Sequence, residues 1–185
     1  ELYGETSGLL ATRENLEKTG EKWSLGNTLS AVIGQGQNSF SPIQMARYIS
    51  ILTNGGKSIE PTIIKDIKDA EGTLLIREQI NEYVDEKLNR TRNEKEDLKI
   101  DEQNLRKVLE GMKGVTTEAD GTAYGAFKDL SIEIGGKTGS AEAGNYTNGW
   151  FVGFAPYDNP EIAIIVLIEN ANKGSYTAEV ARKII

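Results

Sequence analysis

The seven residues IAIIVLI, Ile162 to Ile168, constrain the fold more than any other stretch of the chain. They are apolar without interruption and of strand rather than helix length, so they read as a strand whose two faces must both be covered. Just upstream, NGWFVGFAP (Asn148 to Pro156) has the same character. The intervening YDNPE (Tyr157 to Glu161) is a short turn-forming link, which makes the two strands antiparallel neighbours. An amphipathic segment from about Thr177 to Ile185 offers Val180, Ala181 and Ile184 as cover for one face. Further upstream, Ile132 and Ile134 alternate with Ser131 and Glu133, predicting another strand that ends in the run Gly135 to Gly139.

Helical signals precede this sheet. Ser41 is a favourable N-cap and Pro42 suits the first helical position. Ile43, Ala46, Ile49 and Leu52 then recur at helical spacing until Gly55 and Gly56 stop the run. A second helix starts with Asp101 as cap and carries Leu105, Val108, Leu109 and Met112 on one face before Gly114. Residues 1–40 are irregular, with one helical turn after Thr12. Thr62 to Ile67 and Leu74 to Ile76, joined by DAEG at Asp69 to Gly72, predict a hairpin. The stretch 77–99 carries charges of both signs, with Ile80, Tyr83, Val84 and Leu88 at helical spacing. It reads as a solvated helix and loop, a charged surface insertion to which no chemistry is assigned. Helices followed by an antiparallel sheet and a closing helix make a layered, mixed α/β (α+β) fold.

Composition removes several kinds of chemistry. The 185 residues carry 28 acidic and 21 basic side chains, a formal charge of -7, which argues against nucleic acid as the main partner. With neither cysteine nor histidine, there is no thiolate nucleophile, no imidazole base and no thiolate or imidazole metal ligand. Acid–base work falls to Lys, Asp, Glu or Tyr. No stretch reaches the roughly 20 apolar residues needed to cross a bilayer, and no signal peptide is present. The chain opens at Glu1 within a turn-rich segment and reads as part of a longer polypeptide.

The stretch IEIGGKTGSAEAG, Ile132 to Gly144, poses the central question. Gly136-Lys137-Thr138 matches the second half of a phosphate-binding loop. Its first glycine is missing, because position 131 is Ser131, and no helix pattern follows Gly139, so no helix N-terminus is available for a phosphate. The other reading takes Lys137-Thr138-Gly139 as the KTG triplet of penicillin-recognising serine enzymes. Taken alone, the triplet reads more simply as a solvated strand-end lysine, a β-forming threonine and turn glycines.

The surrounding motifs decide between them. GETSGLL (Gly4 to Leu10), IGQG (Ile33 to Gly36), SPIQMARYISILTNGG (Ser41 to Gly56), EGMKGV (Glu110 to Val115), GTA (Gly121 to Ala123), GGKTGSAE (Gly135 to Glu142) and GWFVGFAP (Gly149 to Pro156) stand in one order along the chain. In this series the sequence resembles the C-terminal part of the transpeptidase domain of a monofunctional, class B penicillin-binding protein. The resemblance covers almost all of the 185 residues. It implies a penicillin-binding-protein/serine β-lactamase-like fold and acyl transfer on peptidoglycan stem peptides. In such enzymes a serine attacks the D-Ala-D-Ala carbonyl, and an amine of a second stem peptide resolves the acyl-enzyme into a cross-link, each step passing through an oxyanion.

Carried onto this chain, the resemblance makes Lys137 and Ser140 catalytic and Lys137, Thr138, Gly139 and Ser140 substrate-binding. Lys137 would supply a positive charge that draws in the substrate carboxylate and supports proton traffic. Thr138 would offer its hydroxyl to that carboxylate, and Gly139 would let the acyl donor lie along the strand. Ser140, where the family more often has threonine, would give its backbone N–H to the oxyanion hole. Trp150, Phe151 and Phe154 are expected to be packing residues. For Gln35 and Gln37, a cleft-facing role and a structural loop are both open. No cofactor and no metal are implied.

Serine followed three places on by lysine does not occur, nor does an S-x-N triplet. In the family those motifs lie upstream, so the resemblance implies a chain that carries one wall of the site without its nucleophile. The implied partners are stem peptides and β-lactams, the missing N-terminal half of the transpeptidase domain and a cell-wall synthesis complex. The implied location is the extracytoplasmic face of the bacterial membrane, anchored by an upstream segment. Family strands also pair beyond the one matching Ile162 to Ile168, so the separate piece is expected to associate, swap, or fold only beside its missing half. A β-lactam sensor, a β-lactamase-like domain or a non-catalytic wall-binding relative would share the same wall.

Overall fold

The computed structural model describes residues 4–89, 97–171 and 173–185, with Ala143 described by its backbone alone. Residues 90–96 of the charged stretch lie outside the described residues. The elements run α1 (Arg13–Glu17), α2 (Leu25–Val32), α3 (Pro42–Thr53), α4 (Arg77–Leu88), α5 (Glu102–Thr117), α6 (Tyr124–Phe127), β1 (Gly135–Ala143), β2 (Tyr146–Ala155), β3 (Ile162–Ile168) and α7 (Ser175–Ile184).

The three strands form one antiparallel sheet in the order β1-β2-β3. Alternation along β2 sends Phe151 and Ala155 to one face and Val152 and Phe154 to the other. On the first face, Phe151, Ile164 and Val166 pack with Ala126 and Phe127 of α6 and Ala178 and Ala181 of α7. On the second, Phe154 packs with Ile49 of α3 and Met112 of α5. The paired apolar runs thus acquire a helical layer on each side, as a mixed fold requires.

Two glycines make that double packing possible. A Cβ on Gly135 would stand 2.2 Å from the Phe154 ring, and one on Gly136 would stand 2.5 Å from the Phe151 ring. Each glycine leaves a slot on β1 filled by the aromatic of β2 on the same face. Phe151 and Phe154 are fully buried packing residues, and Trp150 is half-buried.

Local chemistry explains the helix boundaries. Thr12 caps α1 and Asp101 caps α5, each side chain accepting a backbone N–H. Ser41 and Gln44 form a reciprocal capping box ahead of Pro42. Helix α4 buries Ile80 and Val84, while Tyr83 of the same stripe is exposed.

Several expectations are corrected. The irregular reading of residues 1–40 misses α2, which is capped reciprocally by Ser24 and Asn27. Helix α5 does not stop at Gly114 but runs to Thr117, and Val108 on its expected apolar face is 48% exposed. The predicted hairpin keeps its turn, with the Gly72 N–H donating to Asp69, but contracts to a single Lys68–Leu74 bridge. Along α7 the buried stripe is Thr177, Ala178 and Ala181, while Val180 and Ile184 are 39% and 66% exposed.

The strand expected at Ser131 to Ile134 does not form. The Ile134 carbonyl accepts the Thr116 hydroxyl of α5 at 2.5 Å, and the Glu133 carbonyl accepts the Tyr157 N–H at 2.8 Å. Those bonds tie the segment to a helix and a loop, and the ladder begins only at Gly135. The KTG triplet therefore lies inside a strand rather than at the end of one.

Candidate active site

Strand β1 pairs with β2 on one side, and no other described strand lies on its other side. Along this open edge the carbonyls of alternate residues receive side-chain donors. The Lys137 ammonium donates to the Thr138 carbonyl at 2.6 Å, and the Gln35 side-chain amide donates to the Ser140 carbonyl at 2.8 Å. The N–H and C=O of one strand residue point to the same edge, so the Thr138 and Ser140 amides face outward beside these carbonyls. The edge thus offers a row of directed backbone donors and acceptors with an exposed cation next to it.

The four residues singled out in the sequence occupy this edge in two orientations. Lys137 sits opposite Val152 and Gly139 opposite Trp150, on the sheet face that α3 and α5 cover. Thr138 sits opposite Phe151, on the face that α6 and α7 cover, and is only 8% exposed. Its hydroxyl oxygen lies 2.7 Å from that of Thr122. The Ser140 hydroxyl accepts the Gly174 N–H at 3.2 Å, which pins the link before α7 onto β1. A Cβ on Gly174 would stand 2.2 Å from the Gly139 carbonyl oxygen, so that link needs glycine to lie so close to the strand.

Of the two glutamines left open, Gln35 belongs to the edge through its bond to Ser140. Gln37 lies elsewhere. It lines a separate hollow of about 190 Å³ with Leu16, Trp23 and Asn27. Sequence reasoning missed Thr122 and Gly174. The only signal for the first was its place in the GTA triplet, which names no partner 16 residues away.

One ionic contact braces the approach to β1. The Lys113 ammonium lies 2.7 Å from the Glu133 carboxylate and 4.8 Å from the centre of the Tyr157 ring, which itself stacks on Phe154. The Glu133 hydrogen bond raises the Lys113 pKa above the ordinary lysine value despite partial desolvation, with further support from the charges of Glu133 and Asp158. A raised cation pKa stabilises the fold fully below the unfolded-state value, and that contribution disappears as pH climbs through the folded one. The expected result is a clip indifferent to pH near neutrality and lost only above about pH 10.4. Unfolding midpoints taken across that range check this. Lys113→Met should lack the alkaline loss attributable to the clip, and identical profiles for the two proteins would contradict it.

Among the described residues no group of three or more Asp, Glu, His or Cys side chains is arranged to hold a metal ion. No described helix is long and apolar enough to cross a membrane.

Comparison with known proteins gives a consistent picture. Residues 3–185 match the penicillin binding protein transpeptidase domain. The chain is 32% identical over 209 aligned residues to the peptidoglycan D,D-transpeptidase MrdA of Haemophilus influenzae, covering 100% of this chain and 29% of that protein. It is 32% identical over 158 residues to penicillin-binding protein H of Bacillus subtilis, covering 80% of this chain and 21% of that protein. The crystal structure of Pseudomonas aeruginosa PBP2 in complex with WCK 5153 matches with a TM-score of 0.79 at 32% identity, over 99% of this chain and 38% of that one. The chain therefore spans between 21% and 38% of the length of these proteins.

Proposed function

The chain belongs to the penicillin-binding protein transpeptidase family, and on that premise we propose that it forms one wall of the active site of a peptidoglycan D,D-transpeptidase. The observation that carries this reading is the open edge of β1, where an exposed ammonium and outward-facing amides of alternate residues stand together. An extended acyl donor laid along that edge would pair with it as an added strand. In this reading Lys137 attracts the donor's carboxylate and supports proton transfer, the Thr138 hydroxyl binds that carboxylate, and Gly139 leaves space for the chain. The Ser140 amide donates to the oxyanion, and loss of one such donor typically costs roughly 3 kcal/mol of barrier.

The proposal extends to what lies beyond this chain. Residues 1–185 are the C-terminal part of a single transpeptidase domain, with 77–99 as a surface insertion. The serine nucleophile, its lysine base and the middle serine belong to the parent polypeptide, as does a membrane anchor holding the domain on the extracytoplasmic face. Stem peptides and β-lactams are the ligands, and a cell-wall synthesis complex is the setting.

Without the nucleophile, the separate polypeptide is not expected to form a covalent adduct with penicillin, whereas the full-length parent is. Intact-mass spectrometry after incubation with benzylpenicillin reads both directly. An adduct localised to any serine between Ser7 and Ser175 would show that this chain carries its own nucleophile and overturn the assignment.

A further inference from the structure

Thr122 has no role in the reading above, yet its hydroxyl oxygen lies 2.7 Å from that of Thr138. The contact joins two elements far apart in the chain, the turn after α5 and the β1 edge. Thr138 as a whole residue is 8% exposed.

The turn that carries Thr122 is held on both sides. The Gly121 N–H donates to the Glu118 carbonyl at 2.9 Å, and a Cβ on Gly121 would stand 2.4 Å from the Val115 carbonyl oxygen. The Ala123 N–H donates to that same Val115 carbonyl at 3.0 Å, and Ala123 is buried in the core with Phe127 and Phe151. Thr122 is therefore clamped between a glycine folded against the end of α5 and an alanine in the core. Thr122 is itself exposed, and its backbone position is set by these two neighbours.

Proton counting gives the contact a direction. A hydroxyl has one proton to donate and two lone pairs to accept with. In the free protein either threonine can be the donor. Once Thr138 points its proton at an anionic carboxylate, its oxygen has only lone pairs left for Thr122, so Thr122 must donate. A donated hydrogen bond polarises the acceptor hydroxyl and strengthens the bond that hydroxyl makes in turn.

We propose that Thr122 is a positioning residue that donates its hydroxyl proton to Thr138 and so orients the Thr138 proton toward the terminal carboxylate of the acyl donor. This rests on the reading that Thr138 binds that carboxylate. The two stand or fall on separable results.

The test uses the full-length protein, two thioester acyl donors that differ only in a free terminal carboxylate or its carboxamide, and the variants Thr122→Val, Thr122→Ser and Thr138→Val. For the carboxylate donor, Thr122→Val is expected to raise KM roughly three- to tenfold with kcat nearly unchanged, the size of one lost hydrogen bond. Thr122→Ser restores the donor and should restore KM, and with the carboxamide the Val variant should behave as the parent. Thr122→Ala, which also lacks the donor, serves in place of Thr122→Val if the latter lowers the melting temperature. A defect of equal size on both donors and unrescued by serine would make Thr122 merely structural and overturn the inference. The inference also fails, with the carboxylate reading intact, if Thr138→Val raises KM and Thr122→Val does not. If Thr138→Val changes nothing, the carboxylate reading itself falls and takes the inference with it.

Discussion

Lys137→Ala in the full-length protein is expected to slow acylation by penicillin about 10²- to 10³-fold, the range associated with losing a positioned proton-transfer group or a charged stabiliser. The ammonium is held at the open edge of β1 by its bond to the Thr138 carbonyl, beside the amides proposed to receive the acyl donor. Removing it strips positive charge from the place where a carboxylate and a developing oxyanion would sit. Its stability role is small, because the residue is exposed and water can satisfy the vacated carbonyl, so the melting temperature should stay within the effect of an ordinary surface substitution. Lys137→Arg keeps the charge but replaces a compact ammonium with a wide planar fork, and partial activity is expected. Stopped-flow acylation with a fluorescent penicillin, alongside thermal melts, measures both quantities. A rate within threefold of the parent for Lys137→Ala would remove this lysine from the mechanism.

Gly136→Ala should instead destabilise the fold. The added methyl would meet the Phe151 ring at 2.5 Å, far inside van der Waals contact. Phe151 cannot step aside, because it is completely buried and its ring lies 5.4 Å from that of Phe127. Overpacking of this kind costs typically 1–3 kcal/mol. Gly136→Val should cost more, since its second and third carbons meet the same ring. The larger expectation concerns the site. A displaced Phe151 moves its partner across the ladder, Thr138, so acylation should fall together with stability. Scanning calorimetry with the acylation assay, both on the full-length protein, reads the two effects. An alanine variant that melts with the parent would show that the slot is not filled as described.

The two predictions draw on neighbouring residues that the sequence displays very differently. Lys137 was legible because it opens the KTG triplet, and the other motifs in the series gave that triplet its meaning. The glycines before it looked like turn residues. Their actual task is to accept Phe154 from one face and Phe151 from the other, which follows only from the β1–β2 register.

The same contrast runs through the fold. Thr12, Ser41 and Asp101 announced their helices correctly, because an N-cap satisfies backbone donors within three residues and so leaves its mark in local sequence. Helix α2 went unread although Ser24 and Asn27 cap it reciprocally, since its glycine and polar residues obscured the period. The alternation at Ile132 and Ile134 was real, but the segment is tied through its carbonyls to the Thr116 hydroxyl and the Tyr157 N–H and does not enter the ladder. Competition for one hydrogen-bonding group by a distant partner leaves no trace in a short window.

By itself, the order of residues determined the antiparallel β2–β3 pair and the starts of α1, α3 and α5, because period, caps and turn chemistry act over a few residues. Tertiary structure alone decided where that strand begins, that Gln35 and Lys137 converge on its open edge, and that Thr138 meets Thr122 rather than solvent. Those facts depend on contacts spanning up to 105 residues, and such contacts are set by how the layers pack.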